Sequence, residues 1–596
     1  MSILNGPRLN FWGGIRTDVS VPNNSPTIPY SSGSLNLFDL TTSTVASEAL
    51  PYTDDQLNEM INAPSGNYYT AGGWNHYGQH VVDMQNALIS SQGTPGDITT
   101  SGDLVGQPVY LLGSVDPITG QGPFSGPMMV DLDPTSGQTT QIFVGGLQVG
   151  SGNSPALLIR HNTVCSSQDL AVRILIGEQD APGSSRISGT FQLTFPLSSI
   201  VSYNRDSAVL KSIVEAPGAI GIVVRFVMFE MCPTMTTDQL NANYASGQDV
   251  PNPSIGRVIG TIAPAYPDEP QICQAGRALT NTSTGAAGYM DLVGDLMSVD
   301  MVNLLPKAKF RAVRDDITSP IGPNIDFGNL IFSAGSTQIA TLSCSDQVLQ
   351  QYYVYGGLAD FNLSPTQADA LKNNPLSING QNQSTAAKVQ IEEIAYRVYS
   401  DQRNLYLDDY QGAAPITLQL RYLGDFVAQA TEIRISSDTP GSLPDPNYLN
   451  FPTAVTVPAN QGSVTFTASA KAGTSAVAGF EALNYSCNDG SYFTNFRKYA
   501  QTDFGIPAGT AITWNMVYPN VLRFHYLVFP AMSRYIPLNQ PDAILNAKNT
   551  ILARTSDAYK GTTLFMPVVR SMSPSQIALL TAYLTGKPWQ PNPVVW

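Results

Sequence analysis

Imidazole chemistry is scarce in this chain: the four histidines are His76, His80, His161 and His525. Two of them, His76 and His80, stand four apart at the end of the stretch Asn67–His80, NYYTAGGWNHYGQH. On a helix, imidazoles at i and i+4 share one face and can hold a metal ion together or sit beside a haem. Gly72, Gly73 and Gly78 interrupt that helix, because glycine is a poor helix former. Ordinary hydrogen-bonded histidines in an aromatic loop are therefore the simpler reading. The same stretch carries Tyr68, Tyr69, Trp74 and Tyr77. Their flat apolar faces, each with a polar tip, could stack on a sugar ring, or they could pack on one another. His525 lies between Phe524 and Tyr526 in a helical pattern, where packing suits it better than ligation.

Paired carboxylates are the next candidates. Asp131 and Asp133 would share one face of a strand and could hold a cation or divide an acid and base role. Yet Asp133-Pro134-Thr135-Ser136-Gly137 is also a good turn, in which aspartate bonds its own backbone, and that reading is preferred. Glu392/Glu393 and Asp408/Asp409 are two further carboxylate pairs. No phosphate-binding G-x-x-x-x-G-K-[ST], no G-x-S-x-G elbow, no H-E-x-x-H and no EF-hand loop occurs. The cysteines, Cys165, Cys232, Cys273, Cys344 and Cys487, are scattered and odd in number, so buried free thiols are expected rather than a disulfide framework or a zinc ribbon.

The elements that must position these residues are mostly strands. The run Ala219–Met231, AIGIVVRFVMFEM, is apolar on both period-two faces apart from Arg225. That is the pattern of a strand covered on both sides. A buried Arg225 requires a carboxylate or carbonyl partner. Membrane helices need roughly 18–20 apolar residues, so this run is a core strand and no membrane insertion is expected. Charged residues make up only 13% of the 596, while Gly (50) and Pro (43) are plentiful, which suits many short strands joined by turns. Net charge is −15, so phosphate backbones are repelled and nucleic acid is not an expected partner.

The expected fold is mainly β. Residues 1–335 form a large β-rich domain of sandwich or barrel type, and 336–411 a mixed helix and hairpin connector. Residues 412–483 form a small immunoglobulin-like sandwich, and 484–596 a short helical segment. In the connector, Tyr396/Val398 and Leu405/Leu407 read as a hairpin. Four S/T-x-x-Q boxes, beginning at Thr53, Thr236, Ser364 and Ser573, each predict a helix start. The N-terminus, MSILNGPRLNFWGG, has neither a basic n-region nor an apolar h-region. A soluble cytoplasmic protein is expected, with unconventional export left open.

An ordered series of stretches resembles the N-terminal region of the iminophenyl-pyruvate dimer synthases (VioB) and the related chromopyrrolate synthases. It comprises Met1–Leu4 with Pro7–Phe11, Gly73–Tyr77, Asp131–Gly146, Val223–Met231, Gly256–Leu279, Asn404–Leu407, Val517–Pro519 and Phe565–Pro567 before Arg570. The resemblance implies an association with haem and with oxidative coupling of indole-pyruvate imines. Of the histidines, it reaches His76, which becomes the candidate cofactor-binding residue. The family's later ferritin-like half, with its Glu and His motifs, has no counterpart here, and no E-x-x-H occurs. The leading expectation is thus a stand-alone β-rich binding or self-assembling module without a cofactor, acting through self-association or a protein partner. A haem-dependent enzyme or accessory of specialised metabolism is one alternative. A carbohydrate-binding protein using Tyr68, Tyr69, Trp74 and Tyr77 is another.

Overall fold

The computed structural model describes residues 2–20, 23, 31–32, 35–62, 75–124, 126–172, 187–248, 250–307, 325–344, 353–408 and 412–591. The fold is mainly β, with a short helical segment at its C-terminal end. At its centre is a seven-stranded antiparallel sheet. Its order is Ala171–Val172, Ile187–Pro196, Gly221–Pro233, Ser254–Ala265, Arg8–Thr17, Val82–Thr94 and Asp97–Thr99. The strand Gly221–Pro233 lies inside this sheet, between Ile187–Pro196 and Ser254–Ala265.

Both faces of that strand are covered, as its residues require. Ile222, Val224, Phe226 and Met228 join one core with Leu9, Phe11 and Ile262 of the neighbouring strands. Ile142, Val144 and Leu147 of a second sheet complete it. That five-stranded sheet is built from Val109–Leu112, Met128–Asp131, Thr140–Val149, Leu157–Ser166 and Ile200–Tyr203. Val227 and Phe229 point the other way, into a core shared with Leu279, Met290 and Val299 of an eight-stranded sheet. Gly260 permits the close stacking of the first core: a Cβ there would lie 2.4 Å from Phe11 Cζ and 2.6 Å from Arg225 O.

The second face also carries charge. Arg225 pairs with Asp300, whose Oδ2 also accepts a hydrogen bond from Gln274 Nε2 at 2.6 Å. Arg8 pairs with Asp360 at 2.5 Å and donates to Leu4 O at 2.6 Å. Lys307 pairs with Glu230 at 3.0 Å, above the rings of Phe229 and Tyr353. All three pairs join the central sheet or its extension to the eight-stranded sheet or its flank. The partner that Arg225 requires is therefore a carboxylate on another layer.

The eight-stranded sheet runs in the order 337–343, 329–334, 376–381, 388–394, 277–281, 287–293, 296–300 and 358–362. A division at residue 335 cuts the hairpin between its first two strands, and the expected connector supplies three more of its strands. The small sandwich is likewise wider than 412–483. One of its sheets begins with Tyr396–Tyr399, and the other holds Asn404–Leu407 and Gly490–Lys498. Tyr396–Tyr399 and Asn404–Leu407 do not form a hairpin. The first pairs with Ala413–Tyr422, and the second runs parallel to Gly490–Lys498. A backbone that crosses from one sheet to the other has the same local alternation as one that turns back.

All four boxes cap helices. Thr53, Thr236, Ser364 and Ser573 each accept from the backbone of the glutamine three residues on, whose side chain returns the bond. The last helix, Pro574–Thr585, ends at Gly586 in the left-handed region (φ 67°). The five cysteines are buried and none is joined in a disulfide. Among the described residues no helix is long and apolar enough to cross a membrane.

Candidate functional site

The segment 75–80 is fastened to the end of the strand Arg8–Thr17 by side-chain amides and backbone. Asn75 Nδ2 donates to Asp18 Oδ1 and Val19 O, both at 2.9 Å, and its Oδ1 accepts Asn252 N–H at 2.7 Å. Gln79 N–H donates to Asp18 Oδ2 at 3.2 Å, and His80 N–H to Asp18 O at 2.7 Å. Burial pushes the Asp18 carboxyl up, against the pull of these bonds. Only glycine fits at 78, where a Cβ would sit 2.6 Å from both Asn75 Nδ2 and Asp18 O. The two histidines of this segment are consequently buried. Tyr68, Tyr69 and Trp74 lie outside the described residues.

His76 is 2% exposed and packs edge-on against Tyr77, with ring centroids 5.1 Å apart. His80, in a left-handed backbone conformation, donates from Nδ1 to Met129 O at 3.0 Å and lies against Phe529. His525 packs on the same Phe529 ring. Its Nδ1 donates to Val521 O at 2.8 Å and its Nε2 accepts from Ser571 Oγ at 2.7 Å. Burial lowers all three, His76 to about 3 and His80 and His525 to about 4, so they are neutral at pH 7. His161 is half-buried on the strand Leu157–Ser166.

A haem ligand needs a free imidazole nitrogen with an open slot beside it. His525 has both nitrogens bonded, and His76 and His80 lie inside aromatic packing. These three residues do not fit an axial ligand.

The carboxylate pairs separate in the same way. The strand Met128–Asp131 ends at Asp131, so Asp133 lies in the turn beyond it. Asp133 Oδ1 accepts Thr135 N–H at 2.8 Å and its hydroxyl at 2.7 Å, the bonds of a turn. Asp131 accepts from Thr140 Oγ1 at 2.5 Å, and burial pushes its carboxyl well up, with Asp133 adding to the shift. Glu393 forms a two-point pair with Arg277 at 2.6 and 2.7 Å. Glu392 instead accepts from Gln390. Asp408 pairs with Lys560, while Asp409 lies outside the described residues. Among the described residues no three His, Cys, Asp or Glu side chains converge as metal ligands.

What the structure does bring together is tyrosine. Tyr77, Tyr244 and Tyr526 line a cleft of about 460 Å3 with Arg534, Asn58, Asp55 and Glu59. Its walls are the helix Asp54–Asn62, the 75–80 segment, the helix Thr237–Ala245 and the helical stretch 523–534. The first wall is anchored at its start. Arg523 Nε donates to Asp54 Oδ1 at 2.7 Å, Arg523 Nη2 donates to Tyr52 O at 2.5 Å, and the Tyr518 hydroxyl also donates to Asp54. The Arg534 guanidinium stands 5.4 Å from the centre of the Tyr77 ring. At the rim, the exposed Tyr535 donates to Gln79 Oε1 at 3.1 Å. Burial, with Asp54 and Asp55 nearby, raises the Tyr526 phenol, so it stays protonated.

Asp55 and Glu59 are one helical turn apart and both exposed. Their carboxyl oxygens line the cleft as hydrogen-bond acceptors. Tyr77 is the cleft residue singled out by the sequence. Tyr244, Tyr526 and Arg534 arrive from distant helices with no local motif to announce them.

No protein-family model matches the chain, and no curated protein sequence does. Among solved structures it is similar in part to Escherichia coli alpha-2-macroglobulin in its native conformation. That match has 11% identity and a TM-score of 0.13, and covers 68% of this chain and 28% of the other. The same protein activated by porcine elastase gives 9% identity and a TM-score of 0.14, covering 63% and 37%. The chain thus spans well under half the length of those structures, and at such TM-scores the likeness carries no argument.

Proposed function

We propose that this protein is a non-catalytic β-rich binding module that holds a polyhydroxylated ligand, of the glycan class, in the tyrosine-lined cleft. The observation that carries this reading is the convergence of Tyr77, Tyr244 and Tyr526 with Arg534, Asn58, Asp55 and Glu59. A sugar ring has an apolar C–H face and a rim of hydroxyls. Aromatic rings serve the face, and a few fixed amide, guanidinium and carboxylate groups serve the rim. Single sites of this kind bind weakly, and repetition by self-association raises their avidity. In this reading the resemblance to the iminophenyl-pyruvate dimer synthases is one of architecture.

A glycan array probed with labelled protein tests the proposal, alongside the Tyr244→Ala and Arg534→Ala variants. Retained glycans whose signal falls by about tenfold in each variant, a loss on the order of 1.4 kcal/mol, support it. An array without hits, or hits indifferent to both variants, sinks it.

A further inference from the structure

A second cavity lies where the C-terminal helical segment meets the small sandwich. It measures about 180 Å3, below the roughly 300–1,000 Å3 of drug-sized sites, and so suits a small molecule. Its floor is apolar: Leu552, Phe565, Met572 and Ile577, with the ring of Tyr499. Phe565, Met572 and Tyr499 are themselves buried.

The rim sets the chemistry of an occupant. Thr555 Oγ1 donates its proton to Ile551 O at 2.9 Å, and Ser556 Oγ to Ala553 O at 2.7 Å. The Tyr499 hydroxyl, raised by burial to about 12 and hence protonated, donates to Arg570 O. Each of these hydroxyls has spent its hydrogen on a backbone carbonyl and has lone pairs left to offer. Asp408 and Asp557 add two carboxylates. The cation at the rim, Lys560, is held by Asp408 at 2.7 Å. Among the lining side chains acceptors therefore outnumber donors, and carboxylates outnumber cations two to one.

We infer that this cavity is a binding site for a small primary amine with an apolar body, its ammonium group at the Asp557–Asp408 rim and its hydrocarbon against Phe565 and Ile577. The ammonium brings three donors and a positive charge to a rim whose lining cation, Lys560, is already paired with Asp408. The site is separate from the tyrosine cleft, and the inference does not depend on the glycan reading.

Titration calorimetry with 2-phenylethylamine tests it on the full chain, with 3-phenylpropionate as an anion of similar size. Saturable binding of the amine is expected, with the anion at least about tenfold weaker. Asp557→Asn, a change at an exposed position, should weaken the amine about threefold or more. Thr581→Trp, which fills the cavity, should abolish binding, and a thermal melt of each variant shows whether it has folded. If Thr581→Trp does not fold, the Asp557→Asn affinity and the amine-to-anion ratio decide. No saturable heat with the amine, equal binding of the anion, or affinity untouched in the folded variants overturns the inference.

Discussion

The two faces of the central sheet are built on different terms. Toward the five-stranded sheet, Ile222, Val224, Phe226 and Met228 meet hydrocarbon with hydrocarbon. Toward the eight-stranded sheet, the apolar contact of Val227 and Phe229 is accompanied by the buried pairs Arg225–Asp300 and Glu230–Lys307 and by the buried Arg8 with the partly buried Asp360. Apolar burial is favourable wherever side chains fit, but it tolerates sliding and exchange. A buried charge is tolerated only beside its partner. The first face therefore supplies stability, and the second adds a strong preference for one alignment of the two sheets.

Breaking a charged pair should have the largest effect. Asp300→Ala leaves Arg225 buried without its carboxylate and should cost about 3–5 kcal/mol in chemical denaturation. Replacing both partners, Arg225→Met with Asp300→Leu, should recover most of that loss, because a well-packed apolar pair avoids the desolvation cost. A double variant as unstable as the single one would mean that the charges stabilise outright. On the apolar face, Ile262→Ala should cost about 2–4 kcal/mol by loss of burial and by the cavity left behind. That loss should be the same at low and high salt.

Acid separates paired charges from groups kept neutral. His525 has a folded value of about 4, below the ordinary 6.5. Its contribution is whole above pH 6.5 and is lost as pH falls toward 4, on the order of 2–3 kcal/mol. Denaturation of His525→Gln between pH 7 and 4 should show a correspondingly shallower decline, and an unchanged slope would exclude this histidine as the source. The smallest effect belongs to the small sandwich, where Thr417 and Thr465 share a hydrogen bond of 2.9 Å on an exposed face. Thr465→Ala should cost only about 0.2–1 kcal/mol, since water replaces what the side chain gives up.

Features written in neighbouring residues were legible. The central strand, the four capping boxes and the turn at Asp133 each follow from a few side chains acting on their own backbone. The need of Arg225 for a partner was also legible, since burial follows from the pattern around it. That the partner is Asp300 was not, because pairing across layers leaves no periodicity. The same limit placed a boundary at 335, inside a hairpin, and read 396–407 as a hairpin when its halves join opposite sheets. In the cleft, the aromatic stretch pointed to Tyr77. Tyr244, Tyr526 and Arg534 join it through the docking of separate helices.

The parallel pairing of Asn404–Leu407 with Gly490–Lys498 has a mechanical consequence. These strands carry the chain into and out of the small sandwich. Once Tyr396–Tyr399 has peeled away, tension along the polypeptide pulls the two in opposite directions along their own length. Their hydrogen bonds are then loaded together in shear, whereas an antiparallel hairpin pulled from its open end gives way one rung at a time. The sandwich is in this respect a clamp, resisting a pull on its two ends with several hydrogen bonds at once.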